Sequence, residues 1–244
     1  MGGYLRLEVA RAVRDPKYVI LAVVAPIGFY LLFSALFGGE PGANGLLTQV
    51  ALMVSMGVFG AMWAVLSATG PRIAQERSVG WLRQLRLLPV RSRDVLTGRL
   101  LAAMLLAGPA LVLVFATAAA VHGVTLDAWR WVALLGLLWI GVLPVAALGI
   151  AIGYATGADA AFGLLYGLYQ VLAALGGLWM PLSMLPTGLQ TVGKLLPSYR
   201  AADLGWRLIA GQAVDPASVL ILCGWAALFS LAALFFASRG SRSR

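Results

Sequence analysis

Residues 188–195 read GLQTVGKL, a glycine followed after four residues by Gly193-Lys194, which is the spacing of a phosphate-binding loop. Such a loop cradles phosphates with its backbone N–H groups, needs Ser or Thr after the lysine to hold Mg²⁺, and follows a buried strand that aims the turn. Leu195 stands at the metal position and cannot ligand a cation, and no strand pattern precedes it. The chain is therefore not expected to hydrolyse ATP. Its other reactive side chains are isolated. His122 is the only histidine, and no nucleophile or carboxylate motif surrounds it, which argues against an intramembrane enzyme. Cys223 is the only cysteine and sits in an apolar run, so there is no disulfide framework and no metal-ligand spacing. No catalytic, cofactor-binding or metal-binding residue is assigned.

The chemistry that remains is charge. Residues 72–94, RIAQERSVGWLRQLRLLPVRSRD, gather six arginines in a chain that is 61% hydrophobic and only 11% charged. With 244 residues and a mean hydropathy of +0.90, no soluble domain could hide so much apolar surface in one core, and the chain reads as an all-α integral membrane protein. A net charge of +9 would suit a nucleic-acid binder if it lay on a polar face, but it is confined to breaks between apolar runs, so no nucleic-acid partner is expected. The N-terminal stretch lacks an apolar segment followed by a small-residue cleavage site, so no removable signal peptide is expected.

A bilayer core of about 30 Å needs about 20 helical residues. Six uncharged apolar runs meet that length: 18–37, 46–69, 100–121, 131–153, 160–180 and 217–237. Cationic residues then fix the sidedness. The N-terminal tail holds Arg6, Arg11, Arg14 and Lys17; the connection after the second run holds Arg72, Arg77, Arg83, Arg86, Arg91, Arg93 and Arg99; the C-terminal tail holds Arg239, Arg242 and Arg244. The opposite side holds Arg130, Lys194, Arg200 and Arg207. Fourteen against four predicts that both termini and the arginine-rich connection face the cytoplasm. Setting this topology is one sufficient role for the arginines.

Read as a helix over 73–88, the connection puts Trp81, Leu82, Leu85 and Leu88 on one face, turns Arg83 and Arg86 away, and stops at Pro89. Such a helix can float among lipid headgroups or fill a groove on a partner protein. Glu76 favours the partner, because a lone acid adds nothing to attraction for anionic lipid but can pair with a partner's cation. Residues 3–16 form a second amphipathic helix, with Leu5, Val9, Ala12 and Val13 as its stripe and Pro16 separating it from the first span. It serves either as a surface anchor or as a relay of motion.

The pattern Glu76-Arg77-x-x-Gly80-Trp81-Leu82-x-x-Leu85-x-x-x-Pro89, followed by a span that begins LTGRLLAAMLL, resembles the cytoplasmic loop of ABC-2 type transporter permeases, the membrane subunits of bacterial ABC exporters. The drug-resistance branch typified by the daunorubicin exporter's permease is the likeness, and it runs over most of the chain. The resemblance implies one transmembrane domain over 1–244 with the type V ABC exporter fold. It has a connecting helix at 3–16, six spans, a coupling loop at 72–94 and a re-entrant outer segment at 181–210. It implies a homodimer in the bacterial plasma membrane, served by two copies of a cytoplasmic ATPase that holds the ATP and Mg²⁺, exporting a hydrophobic or amphipathic drug, antibiotic or lipid-like compound. Glu76, Arg77, Gly80, Trp81, Leu82 and Leu85 would contact the ATPase. The Leu196-Pro197-Ser198-Tyr199 step resembles a proline-aromatic step of these permeases, with serine where the family usually has an apolar residue.

The outer segment itself carries Leu182, Met184, Leu185, Leu189, Val192, Leu195 and Leu196 among three prolines, too oily for a solvated loop. Two short helices are expected, either dipping into the outer leaflet or lying on it. None of the six spans carries an ionisable residue, so the ion site of a secondary carrier or channel, the alternative function, is not evident, and energy is expected from another subunit. Pro26, Pro109 and Pro144 mark kinks or breaks within spans. Met56, Phe59 and Trp63 share a face of span two, and Phe162, Tyr166 and Tyr169, with Gln170 beside them, share one of span five. The resemblance makes these faces, from two copies, the walls of a substrate cavity. Met and aromatic side chains suit an adaptable hydrophobic site, and equally suit packing or lipid contact.

Overall fold

The computed structural model describes residues 20–38, 46–79 and 92–242, and among these every regular element is a helix. A π-helical turn, Ile20–Val24, leads into α1 (Ala25–Phe37), followed by α2 (Thr48–Ser78), α3 (Ser92–His122), α4 (Ala128–Gly141), α5 (Leu143–Ala155) and α6 (Ala158–Leu175). A 3₁₀ turn, Leu182–Met184, precedes α7 (Thr187–Leu195) and α8 (Pro197–Ile209), and α9 (Pro216–Arg242) ends the described chain. Among the described residues, five stretches are long and apolar enough to cross a membrane: Thr48–Ser78, Leu96–His122, Ala128–Ala155, Ala158–Leu175 and Pro216–Arg239. The first of the six expected spans is represented by the shorter apolar helix Ala22–Phe37. The amphipathic helix expected at 3–16 and the loop from 80 to 91 lie outside the described residues.

α2 is the axis of the bundle. Every residue from Met53 to Leu66 is buried, as a helix apolar on all sides requires. α1, α3, α5 and α6 surround it, and α8 crosses its N-terminal end. α9 packs on α5 and otherwise leaves Leu220, Leu228 and Leu231 open, a face suited to lipid.

Several element ends differ from the sequence expectation, each for a local reason. Span two does not end at residue 69; residues 73–78 of the helix expected over 73–88 continue it, and the rest of that helix from residue 80 on lies outside the described residues. α2 passes through Pro71 and continues to Ser78, because Ile73 and Ala74 are buried in the bundle and outweigh the one ladder hydrogen bond that proline lacks. Span five stops at Leu175 rather than 180. Gly177 takes φ +71°, the Leu178 N–H reaches the Ala173 carbonyl at 3.0 Å and the Gly177 N–H reaches Ala174 at 3.4 Å, a Schellman ending that only glycine adopts without strain. Pro109 lies inside an unbroken α3, whereas Pro26 follows the π-helical turn and Pro144 follows the α4–α5 break at Val142. Residues 181–210 hold two short helices, α7 and α8. GLQTVGKL belongs to α7, so its glycines form no phosphate-cradling turn.

Candidate functional site

α2 supplies Met56, Phe59 and Trp63, and α6 supplies Phe162, Tyr166, Tyr169 and Gln170. The structure brings the rings together inside one chain. Phe59 stacks on Tyr169 with centroids 4.5 Å apart, and Trp63 meets Tyr169 at 5.2 Å. Trp63 also meets Tyr166 at 5.8 Å and Phe162 at 5.9 Å, both edge-on. Met56, Phe59, Trp63 and Tyr169 are buried, while Tyr166 remains 38% exposed. The two-residue connection Thr156-Gly157 sets α6 beside α5, and Leu165 of α6 seats against Gly70 of α2, where a Cβ would come within 1.9 Å. The rings of span two are therefore covered by span five of the same chain.

Two further residues join this cluster that the sequence reading omitted. Trp179 lies edge-on to Phe59 at 5.8 Å, and Phe29 of α1 lies 6.0 Å from it. The spacing of Phe29 and Phe33, which stack at 5.8 Å, was the available signal. The cluster is not purely apolar. Trp63 Nε1, Tyr169 Oη, Gln170 Oε1 and Trp179 Nε1 are buried without a hydrogen-bond partner in the chain. Two indole donors, a phenol and an amide carbonyl set among rings offer what an amphipathic molecule requires, an apolar wall with a few polar handles.

The C-terminal end of α2 holds the first two residues of the expected coupling motif. The Glu76 carboxylate pairs with Arg99 of α3 at 2.5 Å, with only 10% of the Arg99 side chain exposed. Arg77 Nη1 donates to the backbone carbonyls of Gly153 at 3.1 Å and Thr156 at 3.2 Å, and to that of Tyr154. Both side chains thus engage this chain's own helices. Beneath them Ile73, Ile150, Ala151 and Ala233 form a small apolar core that joins α2, α5 and α9. Gly80, Trp81, Leu82 and Leu85 lie outside the described residues.

A polar layer at the opposite end escaped the sequence reading. Asp203 of α8, 3% exposed, accepts from the Ser218 hydroxyl at 2.7 Å and from Arg207 Nε at 3.0 Å. Arg200 Nη1 donates to Ser218 Oγ at 3.0 Å and to Asp215 at 3.3 Å, so α8 is tied to the start of α9. The Ala217 backbone N–H, donating to Asp215 at 3.0 Å, holds that carboxyl below its ordinary value, and Ser218, Arg207 and Arg200 act in the same direction against desolvation. α8 is anchored inward as well: Ser198 Oγ donates to the Leu172 carbonyl at 2.6 Å, and Trp206 Nε1 to the Ala51 carbonyl at 3.0 Å. The Asp203 to Arg207 spacing of four was the visible clue.

Among the described residues the chain is thus an all-helical bundle with a central rod, an aromatic cluster and a charged layer at each end. Residues 4–205 match the ABC-2 type transporter family. A Bacillus subtilis (strain 168) protein named "Putative transport permease YvfS" is 30% identical over 226 residues, covering 92% of this chain and 91% of its own length. Family membership implies a partner ATPase subunit in general. The match takes in every described element from α1 to most of α8, and with it the chain belongs to the ABC-2 type transporter family.

Proposed function

We propose that this chain is the permease subunit of an ATP-driven exporter in a bacterial plasma membrane, working as a homodimer with two copies of a separate cytoplasmic ATPase. The cargo is a hydrophobic or amphipathic compound, such as a drug, an antibiotic or a lipid-like molecule. The observation that carries this reading is the continuity of α2. One helix runs from the aromatic cluster at Phe59 and Trp63 to Glu76 and Arg77, the residues next to the arginine-rich loop. A push on that loop reaches the aromatic cluster through a single rod. ATP binding, with Mg²⁺, closes the ATPase pair, drives the loops together and squeezes the cavity toward the outside. The unpartnered polar atoms of Trp63, Tyr169, Gln170 and Trp179 support an amphipathic cargo. Gly80, Trp81, Leu82 and Leu85 make the ATPase contact in this reading, with Glu76 and Arg77 behind them at the end of the rod.

The chain is co-expressed with the ABC ATPase encoded beside it and purified in mild detergent, with Trp81→Ala and Leu85→Ala compared against the parent. The expected result is loss of the ATPase, or of its stimulation by the permease, while the permease stays folded and monodisperse. An unchanged complex and rate would reduce the arginines to topology signals and favour a partner-independent carrier.

A further inference from the structure

α5 ends at Ala155 with its last carbonyls pointing out of the helix, and the Arg77 guanidinium sits on them. The end of a helix carries unpaired acceptors and the negative pole of its dipole, so a cation there makes charge-assisted hydrogen bonds. One helical turn further in, α2 and α5 touch almost backbone to backbone. A Cβ at Gly149 would lie 2.1 Å from Thr69 Oγ1, and one at Gly153 would lie 2.7 Å from the Gly70 carbonyl oxygen and 2.8 Å from Ile73 Cβ. Contact this close blocks approach but permits sliding or rotation along the seam. Arg77, bonded to three carbonyls beyond the seam, removes those freedoms.

Span four is also divided. α4 and α5 meet at Val142, with Pro144 in the first turn of α5. The outer half, α4, packs on α8: a Cβ at Gly141 would lie 3.0 Å from Ala201 Cβ, and one at Gly205 would lie 2.9 Å from Leu138 of α4 and 2.7 Å from Val54 of α2. The inner half, α5, belongs with α2 through Arg77 and the glycine seam.

We propose that Arg77 is a positioning residue that locks the inner half of span four to span two, so that a displacement of the cytoplasmic loop through α2 carries α5 with it, hinging at the α4–α5 break. Arg77 then acts within the chain and makes no contact with the ATPase. This rests on the reading that the loop receives an ATPase.

The test uses the permease–ATPase complex in a Cys223→Ser background, with one nitroxide label per chain at Ser78→Cys on α2 or Ala155→Cys on α5, both exposed positions. Distances between the labels of the two copies are measured without nucleotide and after trapping with ATP and vanadate. The parent is expected to shift at both positions. With Arg77→Gln, the ATPase still co-purifies and the Ser78 label still shifts, but the Ala155 shift is lost. Arg77→Lys keeps the charge yet reaches fewer carbonyls, gives an intermediate Ala155 shift, and decides the matter alone if the glutamine variant does not fold. An Ala155 shift that survives undiminished in the variants overturns the proposal. So does loss of the ATPase from folded Arg77→Gln, which would put Arg77 in the partner contact. If neither label moves in the parent, the ATPase-driven reading itself fails, an outcome distinct from a Ser78 shift without the dependence on Arg77.

Discussion

Glu76 illustrates how far a single residue can be read. In sequence it is a lone acid among arginines, and a cation on a partner is a reasonable mate. Its mate is Arg99, 23 positions along the chain, brought close because α2 and α3 are antiparallel neighbours. The signal was present, since both residues lie in the same connection, but choosing among seven arginines there needs the helix directions and rotamers. The pair is only partly solvated, so removing one member leaves an uncompensated charge. Glu76→Arg is expected to lower stability by about 1–3 kcal/mol, the range for stranding a half-buried polar partner. The double change Glu76→Arg with Arg99→Glu restores most of the loss if the contact is direct. Thermal unfolding of the detergent-purified variants measures both, and a double mutant no better than the single one would show that the pair carries no coupling.

At the scale of elements, five of the six expected spans correspond to helices long and apolar enough to cross a membrane among the described residues, because lipid demands about 20 apolar residues per crossing whatever the tertiary fold. Their ends were not legible from run length. The second apolar run ends at residue 69, yet burial of Ile73 and Ala74 carries α2 on through Pro71, whereas Gly176-Gly177 falls within the fifth apolar run and ends α6. Packing decides the first case and backbone sterics the second. The α8–α9 junction was missed because its groups matter only once Ser218 meets Asp203. That junction makes a pH prediction. The Asp215 carboxyl is held below its ordinary value, so its stabilising contribution is complete above the unfolded-state value of about 3.9 and fades as pH falls through the lower folded-state value. The thermal midpoint of the parent should exceed that of Asp215→Asn by a constant margin from neutral pH down to about 5, and the margin should close below about 4. Other carboxylates titrate in both proteins, so the difference isolates this one. A margin that widens on acidification would reverse the assigned sign.

For the whole molecule, the two ends of the bundle carry charge in different ways. At one end Arg200 and Arg207 are matched by Asp203 and Asp215 into a closed layer, while the opposite end joins α2, α3 and α5 through Glu76, Arg77 and Arg99 next to a loop rich in further arginine. Balanced charge suits a face that only has to seal, and excess positive charge suits retention on the cytoplasmic side. The transport reading depends on this sidedness, because an ATPase can push only on a loop that faces it. Ser78 at the end of α2 and Thr187 at the start of α7 are both exposed, and each can be replaced by cysteine in a Cys223→Ser background. A membrane-impermeant maleimide added to intact cells is expected to label Thr187→Cys at once and Ser78→Cys only after the membrane is permeabilised. The inverse pattern would put the arginine-rich loop outside the cell, beyond the reach of ATP, and would leave the aromatic cluster to a transport mechanism that no cytoplasmic partner could drive.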